Sequence, residues 1–462
     1  MGCEGGPYVS RDLGAKLIEV VSVYPLKCGA QDSTLKLSNL DRKCPMLMYT
    51  VFFYRPSEDL NLGSVFQNLK EALEKTLTVW YPAAGRLKIN ENDGKLDLLC
   101  NSAGAFMAKA FTDSKFSELG DLSQYNPFFE ELVYKPAFDP SFSQMPLMVA
   151  QLTKFTCGGF SLGFGTSHSL FDGLGAINFL KAWASAANST VLLKLPQPLH
   201  ERTRLLVTEA SGIPSTAEQN RVVPFIHLNE LIERGIKSAE EKLWECNFNG
   251  VSWASQSGYA LKTFSVSKET VQRLKTTTAK QGGPPNCSAF DVVAAHLWKA
   301  RVKALGLSCA TTVCLQFTVD ARSRLVPPLP REFSGNAYVM ASVTCTVEAL
   351  EKEGLHITVD RIRKAKDSVT DEYIRYYLRA LDAPQKALPS LRELTLVSDW
   401  RRTPFHAVDF GMGKALYAAP LASPVPQSAY FLQDPNDEDG IHVRLGLLPE
   451  HVAAFHYHFT KN

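Results

Sequence analysis

The 462-residue chain is 45% hydrophobic and 21% charged, with a formal net charge of +2. That is the composition of a globular protein long enough for two cores, without the basic field that nucleic-acid binding requires. No stretch approaches the roughly 18 consecutive apolar residues of a membrane span, and ten cysteines without a Cys-x-x-Cys pair read as reduced cytoplasmic thiols.

The first eight residues are small, Gly-rich and carry Glu4, unlike a secretory leader, and Gly6 stands where myristoylation favours Ser or Thr. Helical spacing of Phe66, Leu69, Leu73, Leu77 and Trp80 predicts a helix over 64–80, opened by a Ser64–Gln67 capping box and stopped by Pro82 and Gly85. Strands are expected near 96–100 and 147–155. Cys157-Gly158-Gly159 then turns a hairpin into a strand on which Phe160, Leu162, Phe164, Thr166 and His168 share one face.

From Leu193 to Glu240 the pattern is broken by Pro196, Pro198, Pro214 and Pro224. We read 206–240 as a crossover, with a short helix near 228–243, between an N-terminal domain (1–205) and a C-terminal one (241–462). The second half opens with a strand at 260–266 and a helix begun by Ser267. A helix at 289–305 capped by Ser288 and a strand at 311–319 follow, and a strand at 441–447 and a helix at 449–459 close the chain. Strands and helices mix without strict alternation, which predicts an α/β protein with mixed sheets.

Three runs carry chemistry. In His168-Ser169-Leu170-Phe171-Asp172-Gly173, a strand delivers an imidazole to a turn with a carboxylate four residues on, an arrangement suited to proton transfer; Gly173 and Gly175 permit the turn before the next helix. A buried structural histidine is an equal reading of the same pattern. A metal would need further ligands that the sequence does not place nearby, so none is expected. Asp409-Phe410-Gly411-Met412-Gly413-Lys414 is a glycine turn with an aromatic anchor, too short for a phosphate loop. Asp320-Ala321-Arg322-Ser323-Arg324 puts two arginines in a loop after a strand, fit for a phosphate or for ion pairs, and Trp400-Arg401-Arg402 is a second basic and aromatic group.

In this order the runs resemble the BAHD family of plant acyl-CoA-dependent acyltransferases. His168 to Gly173 matches that family's His-x-x-x-Asp-Gly, and Asp409 to Gly413 matches its Asp-Phe-Gly-Trp-Gly with Met412 in place of tryptophan. The resemblance covers nearly the whole chain. It implies two domains of chloramphenicol-acetyltransferase-like topology with a channel between them. It also implies no permanently bound cofactor, acyl-CoA as co-substrate, a small-molecule alcohol or amine acceptor, and a monomer. His168 would be the general base that removes the acceptor's proton during direct attack on the thioester. Asp172 would hold the loop through a salt bridge, with Arg322 the preferred partner. Asp409 matches an aspartate to which a second proton-accepting role is assigned, so it stands with the catalytic candidates although a structural role is favoured. Ser288, Asp320, Arg322, Arg324, Trp400, Arg401 and Arg402 fall in stretches that meet coenzyme A, and Ser398 where the acceptor pocket is lined. Gly173, Phe410, Gly411, Met412 and Gly413 are motif positions of structural use. An aromatic acyl group, such as hydroxycinnamoyl or benzoyl, is expected. Two readings stand beside this one. One is a catalytically silent relative that binds a ligand on the same scaffold. The other is a peptide-synthetase condensation domain, against which Ser167 counts because such domains place a second histidine there.

Overall fold

A computed structural model describes residues 14–26, 33–42, 45–136, 142–188, 197–207, 258–381, 392–403, 405–421 and 428–461. The expected helix near 228–243, most of the 206–240 crossover and the first eight residues lie outside them.

The strands of the first half are β1 (Ala15–Val23), β2 (Ser33–Leu35), β3 (Leu47–Tyr54), β4 (Arg86–Ile89), β5 (Leu96–Cys100), β6 (Ala105–Thr112), β7 (Met148–Phe155) and β8 (Phe160–Ser167). Those of the second half are β9 (Ala260–Val266), β10 (Thr312–Asp320), β11 (Tyr338–Thr346), β12 (Leu394–Asp399), β13 (Tyr417–Pro420), β14 (Ala429–Gln433) and β15 (Ile441–Leu447). They form one six-stranded sheet in the order β1-β6-β7-β8-β3-β13, a second in the order β11-β10-β12-β14-β15-β9, and a small sheet β2-β5-β4. Both large sheets mix parallel and antiparallel pairs, as expected from the irregular order of elements.

The helices that frame the site are α1 (Leu62–Val79) and α2 (Gly173–Asn188) on the first sheet. On the second are α3 (Ala289–Leu305), α4 (Leu355–Asp367) and the closing helix α5 (Pro449–Thr460). α1 starts two residues earlier than predicted. Asn61 caps it by accepting from the N–H groups of Gly63 and Ser64, while the Gln67 side chain donates to Glu71 instead of closing a box on Ser64. Ser288 caps α3 as predicted, in a reciprocal box with Asp291. Fourteen of the seventeen residues of α3 are buried, so this helix is the spine of the second core rather than an amphipathic cover.

β8 lies between β7 and β3 and is buried on both faces, not on one. Its second face is small because neighbours press close. A Cβ on Gly163 would sit 2.1 Å from the Leu132 carbonyl oxygen, and one on Gly165 would sit 2.6 Å from the Tyr49 ring.

The domain boundary is not a single cut. β13 pairs antiparallel with β3 of the first sheet, Tyr417 opposite Phe53 and Pro420 opposite Thr50. Phe410 and Met412, assigned with the C-terminal domain on sequence, are buried in the core of the N-terminal sheet. The physical reason is the aromatic anchor: the Phe410 ring centroid lies 4.9 Å from that of Trp183 in α2 and 6.4 Å from that of Phe52 in β3.

Candidate active site

β8 ends at Ser167, whose hydroxyl donates to the Pro45 carbonyl at 2.8 Å, and the next residue, His168, is fixed by its backbone. The His168 N–H donates to the Met46 carbonyl at 3.0 Å, and the His168 carbonyl accepts from Asn336 Nδ2 at 2.7 Å. The same Asn336 amide donates to Asp41 Oδ1 at 2.8 Å. Asp41 is fully buried, bonded by the Ser38 hydroxyl at 2.6 Å and faced by Arg202 Nε at 3.4 Å. A histidine from the first half is thus held by an asparagine from the second.

Asp172 caps α2: its backbone carbonyl accepts from Ala176 N and its Oδ1 from Gly175 N at 3.0 Å. Oδ2 accepts from Ala337 N at 3.0 Å, and Arg322 closes a two-pronged pair, Nη1 to Oδ2 at 2.8 Å and Nη2 to Oδ1 at 2.9 Å. Burial alone would raise the Asp172 carboxyl, but Arg322 and the two backbone N–H groups hold it below its ordinary value. A carboxylate so fully bonded is a structural tie, not a proton acceptor. Of the two glycines that follow, only Gly175 is forced: a Cβ there would meet the Ser334 carbonyl oxygen at 2.4 Å, whereas one on Gly173 meets nothing closer than 3.9 Å.

His168 opens onto a cavity of about 550 Å³ between the two sheets. One wall is the second sheet, carrying Tyr338 and Met340 of β11, Thr318 of β10, Leu396 and Ser398 of β12, and Tyr430 of β14. Tyr338 stands edge-on to the imidazole, centroids 5.9 Å apart. The His168 Nδ1 is buried and has no hydrogen-bond partner. Burial pushes this imidazole below its ordinary value, against the opposing pull of its own carbonyl, Asp172, Asn336 and Asp41. It is therefore neutral at pH 7 and able to accept a proton.

Ser288, Asp320, Arg322, Arg324, Ser398, Trp400, Arg401, Arg402 and Gly173 all line this cavity. Their chemistry differs. Arg322 commits both Nη groups to Asp172, to Asp320 Oδ1 at 3.2 Å and to the Gly335 carbonyl at 2.9 Å, and its remaining Nε is buried, so it serves the Asp172 tie rather than an anion in the cavity. Arg401 grips Asp399 with Nε at 2.8 Å and Nη2 at 2.7 Å. Arg324 bonds only the Val369 carbonyl, and neither it nor Arg402 has a carboxylate partner among the described residues, so these two keep their charge for an anion. The Ser398 hydroxyl accepts from Trp400 Nε1 at 3.0 Å.

Asp409 does not belong with the catalytic candidates, and its surroundings fit the structural role favoured for it. It is exposed, does not line the cavity, and its Oδ1 accepts from the N–H groups of Gly411 at 2.8 Å and Gly413 at 2.9 Å, both glycines having positive φ. The carboxylate is a turn cap, and Met412 fills core volume away from the cavity. Asp409→Ala is expected to lower stability by about 0.5–2 kcal/mol while leaving kcat within a few-fold; a drop in kcat comparable to loss of His168 would restore a catalytic role.

Sequence reasoning assigned no role to Asp41 or Asn336. Neither sits in a local pattern, since their pairing crosses 295 residues.

His168, its Nδ1 without a partner among the described residues, thus faces a cavity between two mixed sheets, and the neighbouring Asp172 carboxylate is fully bonded. No cysteine lines the cavity, and among the described residues no serine there bonds the histidine. A family model described as the Transferase family matches residues 22–462. Brassinosteroid-related acyltransferase 1 of Arabidopsis thaliana is 46% identical over 459 residues, covering 96% of this chain and 97% of its own. The omega-hydroxypalmitate O-feruloyl transferase of the same plant is 30% identical, covering 92% and 88%. Among solved structures, vinorine synthase superposes with a TM-score of 0.71 at 20% identity, over 95% of this chain and 96% of its own. TRI101 of F. sporotrichioides, solved with coenzyme A and T-2, gives 0.65 at 16% identity, over 93% and 98%. The chain belongs to the BAHD family of acyltransferases and has its chloramphenicol-acetyltransferase-like fold; it is an acyl-CoA-dependent O- or N-acyltransferase.

Proposed function

We propose that this enzyme moves an aromatic acyl group from acyl-CoA to a hydroxyl or amine of a small-molecule acceptor in plant specialised metabolism, with His168 as general base. The observation that carries the reading is the His168 imidazole facing the cavity between the two sheets, where burial favours its neutral form. His168 takes the acceptor's proton as its oxygen or nitrogen attacks the thioester carbonyl, and the proton passes to the departing thiolate of coenzyme A. Asp172 and Arg322 hold the loop. Arg324 and Arg402 meet the phosphates of coenzyme A, for which their unmatched charge is suited. The aromatic donor is supported by the feruloyl transferase among the relatives and by Phe290, Trp400 and Tyr430 in the cavity wall. We further propose a cytoplasmic monomer, a setting in keeping with free thiols at all six described cysteines.

The test is release of free coenzyme A from aromatic and aliphatic acyl-CoAs in the presence of pooled alcohols and amines. Turnover with aromatic donors is expected. A folded protein that turns over aliphatic donors alone would overturn the donor assignment, and one that turns over none would leave a binding protein on the same scaffold.

A further inference from the structure

One hydroxyl in the cavity wall has no counterpart. Ser428, immediately before β14, lines the cavity, is 2% exposed, and its Oγ has no hydrogen-bond partner among the described residues. Its neighbours on the sheet are matched. Register places Val397 of β12 beside Ala429 and Ser398 beside Tyr430, so Ser428 lies next to Leu396 on the same face. On that face Ser342 accepts from Gln316 Nε2 at 2.8 Å, and Ser398 accepts from Trp400. A buried hydroxyl left unpaired costs stability, and native proteins rarely carry one in a binding cavity without a use.

Position decides what that use is. In the sheet order β11-β10-β12-β14, Ser428 is three strands from Tyr338, the residue that touches His168, on the order of 15 Å across the sheet. That spacing sets it apart from the wall residue that meets the imidazole. Between the two, Met340, Leu396 and Tyr430 offer apolar surface to a flat body, and Thr318 and Ser398 share that face.

We propose that Ser428 is a specificity residue whose hydroxyl pairs with an oxygen at the end of a rigid, apolar substrate farthest from the reacting carbonyl. This deepens the acyl-transfer reading and rests on it. The oxygen belongs either to the acyl group, as a ring hydroxyl, or to the acceptor, as a second hydroxyl.

Two arms distinguish these sources. In one, p-coumaroyl-CoA and cinnamoyl-CoA, which differ by one ring hydroxyl, are compared with a fixed acceptor. In the other, a diol and its mono-ol analogue are compared with a fixed donor. The wild type is expected to favour the oxygenated member of one pair by roughly 10-fold or more in kcat/KM. Ser428→Ala is expected to bring that ratio toward one, Ser428→Thr to keep it, and the alanine variant to melt no earlier than wild type because an unmatched hydroxyl is gone. An undiminished preference in Ser428→Ala, equal losses on both members, or no wild-type preference in either arm would overturn the proposal. Thermal shifts induced by the same compounds read the contact without turnover. Absent turnover with a preserved binding preference would therefore count against acyl transfer, while turnover without preference would count against Ser428 alone.

Discussion

Arg322→Met is expected to destabilise the protein by about 3–5 kcal/mol, because it strips from a buried carboxylate its one cation among the described residues. Methionine fills much of the volume, so the loss is electrostatic rather than a cavity effect. Asp172→Asn alone also costs stability, since an amide turns donors toward the N–H groups of Gly175 and Ala337 or toward the guanidinium. The double variant should recover part of the summed loss, and a urea-unfolding double-mutant cycle with no coupling would contradict the pair. The pH dependence follows from the sign of the shift. In the wild type the Asp172 carboxyl is held below its unfolded value of about 3.9, so its contribution is full above that pH and fades as pH falls through the lower folded value. Without Arg322, burial raises the carboxyl instead, and the dependence from this site reverses.

His168→Ala is expected to lower kcat by about 100- to 10,000-fold with little change in KM for acyl-CoA. Stability should barely move, because the imidazole Nδ1 has no partner to lose. In the wild type, kcat/KM is expected to fall on the acid side with a midpoint below the ordinary histidine value of about 6.5, since burial favours the neutral ring. That limb should vanish in the variant. Steady-state release of coenzyme A between pH 5 and 9 measures both, and a retained acid limb in His168→Ala would assign it to another group.

The parts of this molecule legible in its sequence are the ones whose signals are local. Ser288 and Ser267 announce their helices because a cap needs only the next three residues. β9 and β15 carry turn signals at their ends. β3 was not singled out: Leu47 to Tyr54 is a continuous apolar run, and periodicity cannot separate a strand buried on both faces from a buried helix. The pairing of β13 with β3 is invisible for a different reason. Four residues ending in a proline have almost no pattern of their own, and they reach that sheet beside a segment whose Phe405, Phe410 and Met412 are buried in its core. At the site, the strand pattern and the glycine turn singled out the histidine and its carboxylate, and the resemblance supplied their roles and the pairing with Arg322. Asp41 and Ser428 were not singled out, because their importance lies in what they face across the fold.

The account rests on a single-step transfer in which no residue carries the acyl group. Intact-protein mass spectrometry of the enzyme mixed with acyl-CoA alone, then chased with acceptor, tests this directly. The account predicts an unmodified protein mass before the chase, and coenzyme A and acylated acceptor appearing together only after it. A protein heavier by one acyl group before the chase, and relieved of it by acceptor, would contradict it.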